Sequence, residues 1–155
     1  DKPVIRKWAE DIEAPTIILG SARYLPLARE IATALAARRK KAEILFVNEV
    51  AGLRFDFPFG QGGAQVRFPG PGVKIPGTAI LLGTAADNAL IDLVMNKEGL
   101  TLHPLTARYP GPGRGLIEGA WRVFSTRHNA VLLTGSDAAG AELAAQHFAR
   151  FLLAR

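Results

Sequence analysis

One pattern of apolar and polar positions occurs three times along the chain. Pro15-Thr16-Ile17-Ile18-Leu19-Gly20-Ser21, Thr78-Ala79-Ile80-Leu81-Leu82-Gly83-Thr84 and Asn129-Ala130-Val131-Leu132-Leu133-Thr134-Gly135-Ser136 each hold a short unbroken apolar run, then a glycine, then a hydroxyl residue. Such a run predicts a strand buried on both faces, as in a parallel or mixed sheet covered by helices. The glycine permits a sharp strand-to-helix turn, and the hydroxyl can cap the helix that follows. Apolar residues spaced i, i+3 and i+4 predict those helices. They are Leu27, Ala28, Ile31 and Leu35 in the first, Leu90, Leu93 and Val94 in the second, and Ala144, Phe148, Phe151 and Leu152 in the third. Pro26 fits only in the first turn of its helix, and Gly99 supplies a stop for the second.

The segments between these units add further strands. Residues 42–50 follow the first helix directly and predict a strand parallel to the first, completing a β-α-β unit. Residues 51–77 differ in character, with seven glycines and four prolines among 27 residues. Leu53, Phe55, Phe57 and Phe59 alternate there with Arg54, Asp56 and Pro58, and residues 65–68 and 73–75 predict short strands around the Gly62-Gly63 turn. This is a hairpin excursion with one apolar face. Alternating aromatics usually face inward, which makes it a flap over the core; the alternative is an aromatic platform on which Phe57 and Phe59 contact a ligand. Residues 100–105 predict a short strand, and 109–115 a rigid exposed loop. Residues 116–124 predict a strand with Ile117, Trp121 and Val123 on one face, antiparallel to the last strand. The fold class is therefore α/β: one domain over residues 1–155, with helices packed on a mixed, largely parallel sheet. It is built from three β-(Gly-Ser/Thr)-α units plus the 51–77 excursion.

Composition narrows the chemistry. With 155 residues and 48% apolar content, the chain has the size and character of one soluble globular domain. The absence of cysteine excludes disulfides, thiolate metal sites, iron–sulfur clusters and a cysteine nucleophile. No apolar run has the length of a membrane span. Asp1 in place of Met is expected of a processed or excised product. The net charge of +5 suits an anionic partner such as an acidic glycan, a membrane surface or nucleic acid, and is equally ordinary for an arginine-rich proteome. The basic cluster Arg38-Arg39-Lys40-Lys41 falls where the first helix should end and there complements its dipole. No helix carries a basic face interleaved with aromatics, which argues against nucleic acid as a partner.

Candidate ligand contacts are the groups at the three helix starts: Ser21, Thr84, Ser136 and Asp137. If their strands run parallel, they line the sheet edge where open α/β folds bind ligands, and free helix N–H groups suit phosphate, sulfate or carboxylate. Plain capping accounts for each of them equally. Neither the dinucleotide glycine fingerprint nor the P-loop ending occurs, so no cofactor is expected. Asp87 and Asp137 occupy equivalent places after two strand units, as an acid/base pair or as partners of positive helix ends. His103, His128 and His147 lack metal-ligand spacing, and no metal site is expected. Gly135-Ser136-Asp137 lacks the second glycine of a nucleophile elbow because Ala138 stands there. No catalytic residue can be named.

The closing segment carries Gly135, Asp137, Gly140 and Gln146 in an apolar strand, Gly-x-Asp-x-x-Gly, helix pattern. It resembles the last strand and helix of the small α/β domain that precedes the catalytic barrel in β-hexosaminidases, O-GlcNAcase-like enzymes and α-glucuronidases. Ile80-Leu81-Leu82-Gly83-Thr84 with Asn88 is similar to an earlier turn of that domain, and residues 115–124 to its outward-running strand. The likeness covers residues 77–152, and the aromatic that often follows the last glycine is replaced by Ala141 or Glu142. Similar units occur in extracytoplasmic polysaccharide-export proteins. The resemblance implies a secreted or periplasmic, non-catalytic accessory or scaffold domain, with a polysaccharide or a neighbouring catalytic domain as partner. Two alternatives remain: a flavodoxin-like nucleotide- or anion-binding module, and a self-assembling homo-oligomeric subunit with the 51–77 excursion as its contact.

Overall fold

The computed structural model describes residues 10–47, 54–56, 65–67, 75–97, 99, 101, 103–120 and 128–153. The protein is an α/β fold with a five-stranded, mostly parallel mixed sheet and three helices packed on it. Strands β1 (Thr16–Leu19), β2 (Glu43–Phe46), β5 (Ala79–Leu82), β6 (Gly115–Ala120) and β7 (Ala130–Gly135) run in the order β2-β1-β5-β7-β6. All neighbours are parallel except β6, which lies antiparallel to β7. A separate two-stranded piece pairs β3 (Arg54–Asp56) with β4 (Gln65–Arg67), Phe55 opposite Val66. The expected hairpin of the 51–77 excursion is thus present at these positions; Phe57 and Phe59 lie outside the described residues.

Each central strand reads as unbroken apolar sequence because both of its faces are covered. Ile17, Leu19, Ile80, Leu82, Val131 and Leu133 face helices α1 (Leu25–Ala36) and α3 (Ala138–His147). Their alternates, Ile18, Ala79, Leu81, Ala130 and Leu132, face α2, which begins at Ala89–Ile91 and continues in a wider turn over Asp92–Lys97. Register keeps each layer together: Ile17 stands beside Ile44 on one side and Ile80 on the other, and Ile80 beside Val131. The edge strand β2 is less covered, and Phe46 is 48% exposed.

The helices follow their predicted faces, with one phase change. Ala28, Ile31 and Leu35 of α1 are buried, as are Leu90, Leu93 and Val94. Gly99 takes φ +61 after α2, the left-handed conformation that ends a helix. In α3, Ala144 and Phe148 are buried, but Phe151 is 67% exposed and Leu153 takes the inward position. From Phe148 the helix widens, with Leu153 N–H donating to the Phe148 carbonyl five residues back. That turn carries more residues than a 3.6-residue period allows, so the apolar face slips.

One predicted strand is corrected. Among the described residues of 100–105 no strand forms; Leu105 is buried, and its N–H donates 2.8 Å to Asn96 Oδ1 at the end of α2. Residues 73 and 74 of the short strand expected at 73–75 lie outside the described residues; Ile75 is in no strand and packs on the α2 layer. The 42–50 strand is Glu43–Phe46, with Val47 N–H reaching the Leu19 carbonyl, and the 116–124 strand is described as Gly115–Ala120. No described helix is long and apolar enough to cross a membrane.

The junction of β1, β5 and α2 is made by one side chain. Asn88 is fully buried; its Nδ2 donates 3.0 Å to each of the Ile18 and Leu82 carbonyls, and its Oδ1 accepts from Leu90 and Ile91 N–H. Replacing Asn88 with Ala strands two carbonyls and two helix N–H groups in the core. A loss of roughly 2–4 kcal/mol is expected in urea unfolding, because unpartnered buried polar groups cost about 1–3 kcal/mol each and partial relaxation recovers some. A loss below about 1 kcal/mol would show that the tie is dispensable.

Candidate functional site

Parallel β1, β5 and β7 bring their C-terminal ends, and the turns carrying Ser21, Thr84, Ser136 and Asp137, to one edge of the sheet. In open α/β sheets that edge holds the ligand, in the crevice between strand-to-helix turns. Here the turns after β1 and β5 are pressed together. A Cβ on Gly20 would lie 1.9 Å from the Asp87 carbonyl oxygen and 2.9 Å from Asn88 Cα, so only glycine permits the approach. Across the same gap, the buried Tyr24 hydroxyl donates 2.5 Å to Asp87 Oδ2. Burial and the hydrogen bond to this carboxylate push the Tyr24 phenol well above its ordinary value and keep it neutral.

The four candidate groups are all engaged within the protein. Ser21 Oγ accepts from Arg23 N–H at 3.2 Å and caps the short 3₁₀ turn Ala22–Tyr24, which precedes α1. Thr84 does not cap α2; Asn88 does, four residues later. Thr84 instead exchanges bonds with Asp87: its N–H donates 2.7 Å to Oδ1, and its Oγ1 accepts from Asp87 N–H at 3.3 Å. Ser136 does not cap α3 either. Its Oγ donates to the Thr106 carbonyl in a short hydrogen bond and accepts from Gly111 N–H at 3.0 Å. Asp137 is the α3 cap, Oδ1 accepting from Gly140 N–H and Oδ2 from Gly113 N–H, both at 2.9 Å. The Gly113 and Gly140 N–H groups hold its carboxyl below the usual carboxylate range.

These contacts decide what the edge can do chemically. A serine becomes a nucleophile when a base takes its proton; Ser136 gives its hydrogen bond to a backbone carbonyl. Asp87 and Asp137 share no partner, and each has both oxygens occupied by internal donors. They stabilise separate turns, as expected for carboxylates near helix starts. Among the described residues no group of His, Asp and Glu has metal-binding spacing. His103 lies against Tyr109, His147 against Phe151, and His128 stands just before β7.

The edge supports a loop instead. Thr106 Oγ1 accepts from Arg108 N–H at 3.2 Å and Tyr109 N–H at 3.0 Å, and Thr106 N–H donates to the Tyr109 carbonyl. Ser136 and Asp137 fix Gly111 and Gly113, and Arg114 N–H closes a turn onto the Gly111 carbonyl. Thr106 and Tyr24 had no sequence signal of this role, because their partners are 30 and 63 residues away.

A cleft of about 310 Å³ opens at the opposite end of the strands. Glu10, Asp11, Glu13 and His128 line it beside Ile12 and Val131. Sequence periodicity cannot show such a site, because it is assembled from the segments that lead into β1 and β7.

No family model matches the chain, and no curated protein matches it. The Asp137 geometry carries its own test. Its folded-state pKa lies below the ordinary 3.8, so the stability it confers is complete above that value. It is lost as pH falls through the depressed folded value. The gap in urea midpoint between the native chain and Asp137→Asn is therefore expected to be constant from about pH 5 to 7 and to close below about pH 4. A gap that stays open in acid would remove the ionised carboxylate from the account; asparagine still caps α3.

Proposed function

We propose that this chain is a non-catalytic accessory domain of a carbohydrate-active or cell-envelope polysaccharide protein, working in a secreted or periplasmic setting. It holds a glycan or packs against a catalytic neighbour. The observation that carries this reading is the state of the C-terminal sheet edge. The hydroxyls and carboxylates that could bind or react there, Ser21, Thr84, Asp87, Ser136 and Asp137, accept or donate internal hydrogen bonds. At Gly20 the turn after β1 lies against the Asp87 backbone, which favours this reading over a nucleotide-binding module.

The resemblance over residues 77–152 supports the same reading. Asp137 serves α3 and the 111–113 turn at once. Gly140 is demanded by packing: a Cβ there would lie 2.2 Å from the Arg114 carbonyl oxygen. Asn88 joins two strands to a helix. Asp137, Gly140 and Asn88, three residues of the likeness, are residues of architecture.

The purified 155-residue chain is expected to leave aryl glycosides and soluble polysaccharides unhydrolysed over long incubations, as read by released chromophore and reducing ends. Sustained turnover that disappears in Asp137→Asn or Ser136→Ala would overturn the reading.

A further inference from the structure

We infer that the 103–114 loop is a binding surface for an acidic polysaccharide, one whose sugar rings carry carboxylate or sulfate. This rests on the glycan-holding function proposed above and names its site and substrate class. The loop is outward-facing: His103, Arg108, Tyr109 and Arg114 are all exposed. It is also built. Five of its backbone groups are fixed by the hydroxyls of Thr106 and Ser136 and the carboxylate of Asp137. A loop already held in one conformation loses little freedom when it binds, and exposed loops on rigid scaffolds are where proteins carry function.

The side chains it presents share one chemistry. Neither the Arg108 nor the Arg114 guanidinium meets a carboxylate among the described residues, whereas nearby Arg23 is paired with Glu142 at 3.1 Å. The loop's own anion, Asp137, is taken up by two N–H groups and the α3 N-terminus. Arg114 lies along the Gly111 backbone, its Cδ 3.9 Å from where a Gly111 Cβ would stand. Between the arginines in sequence, the Tyr109 ring is braced by His103 in a T-shaped contact, centroids 5.1 Å apart, and stays 36% exposed. A guanidinium fork takes a carboxylate or sulfate through two parallel hydrogen bonds. An exposed aromatic ring such as that of Tyr109 offers apolar area to the C–H surface of a sugar.

The spread of these side chains favours a polymer. Small ligands are held in concave pockets that bury most of their surface. His103, Arg108, Tyr109 and Arg114 are exposed along a twelve-residue loop, which suits a chain that meets it along several residues. Nucleic acid fits less well, since single strands are held by successive stacking aromatics in a basic groove and the loop offers one tyrosine.

The test is affinity electrophoresis of the 155-residue chain in gels containing polygalacturonate, dextran sulfate or neutral dextran, with single-stranded DNA as competitor. Retardation by one or both acidic polymers and none by dextran is expected; which of the two retards says whether carboxylate or sulfate is read. Arg108→Ala with Arg114→Ala should weaken retention about tenfold or more, the size of losing a charge-assisted hydrogen bond. Arg→Lys at both positions should restore part of it, and Tyr109→Ala should weaken it without changing the thermal midpoint. Arg39→Ala with Lys41→Ala, after α1, should leave it unchanged. Equal loss from the Arg39/Lys41 pair, or DNA displacing the glycan at equimolar charge, overturns the inference in favour of unspecific charge. Dextran binding indifferent to Arg108 and Arg114 overturns it and leaves the glycan-holding reading standing. Binding to none of the polymers removes both.

Discussion

A carbonyl buried near the end of a strand has no water to bond, so it must find a partner inside the protein. Ile18 and Leu82 present two such carbonyls where β1 and β5 stop, and Asn88 accepts neither loss nor exposure: its amide bonds both. The same side chain turns its oxygen to the first N–H groups of α2. One residue therefore ends two strands and starts a helix. It fixes where the 84–88 turn must lie, and that turn in turn fixes the loop after β1. Gly20 then has to pass against the Asp87 backbone, and Tyr24 has to close on the Asp87 carboxylate. The turns after β1 and β5 are thereby held against each other.

The other end of the edge is organised by Asp137 in a comparable way. Its carboxylate joins the α3 start to the 111–113 turn, and the resulting closeness puts Gly140 against the Arg114 carbonyl and Gly115 against α3. Beyond this, α3 is tied to α1 by Arg150 and Glu30, and to the β1 turn by Arg23 and Glu142. Those pairs are solvent-exposed, and exposed pairs contribute little to stability. The buried amide and the capping carboxylate set the positions; the ion pairs decorate them.

What the sequence made readable follows from how local each cause is. Unbroken runs such as Ile17-Ile18-Leu19 announced strands covered twice, because burial on both faces removes the alternation a half-exposed strand would keep. The antiparallel β6 was readable from its alternating apolar face and the helix faces from their i, i+3 and i+4 spacing, which are equally local patterns. The slip at Phe151 was not, since it depends on a widened turn that no periodicity at 3.6 residues can register. Among the described residues of 100–105 a competing interaction takes the place of a strand: Asn96, nine residues away, claims the Leu105 N–H. Among the candidate site residues, Asp137 was placed correctly as a cap, while Thr84 and Ser136 each yielded that role to a neighbour with a better-positioned side chain. Their actual partners, Asp87 and the 106–111 loop, are brought together by the fold and leave no mark in local spacing.

Spending these hydroxyls and carboxylates on architecture has a consequence for where function can reside. A carboxylate that already accepts two N–H bonds has less capacity left for a ligand, so the sheet edge is a poorer place to evolve an affinity than a surface whose side chains make no internal bonds. The groups released from that conflict are those the edge holds up: side chains on a loop whose backbone is satisfied from below. Arg108, Tyr109 and Arg114 meet that condition, because the bonds that fix their loop run through backbone atoms and leave the side chains outside. They can change in identity without disturbing Ser136 or Asp137. The supporting edge, by contrast, is constrained by every bond it makes. A domain arranged in this way keeps its scaffold fixed and its exposed loop free to vary.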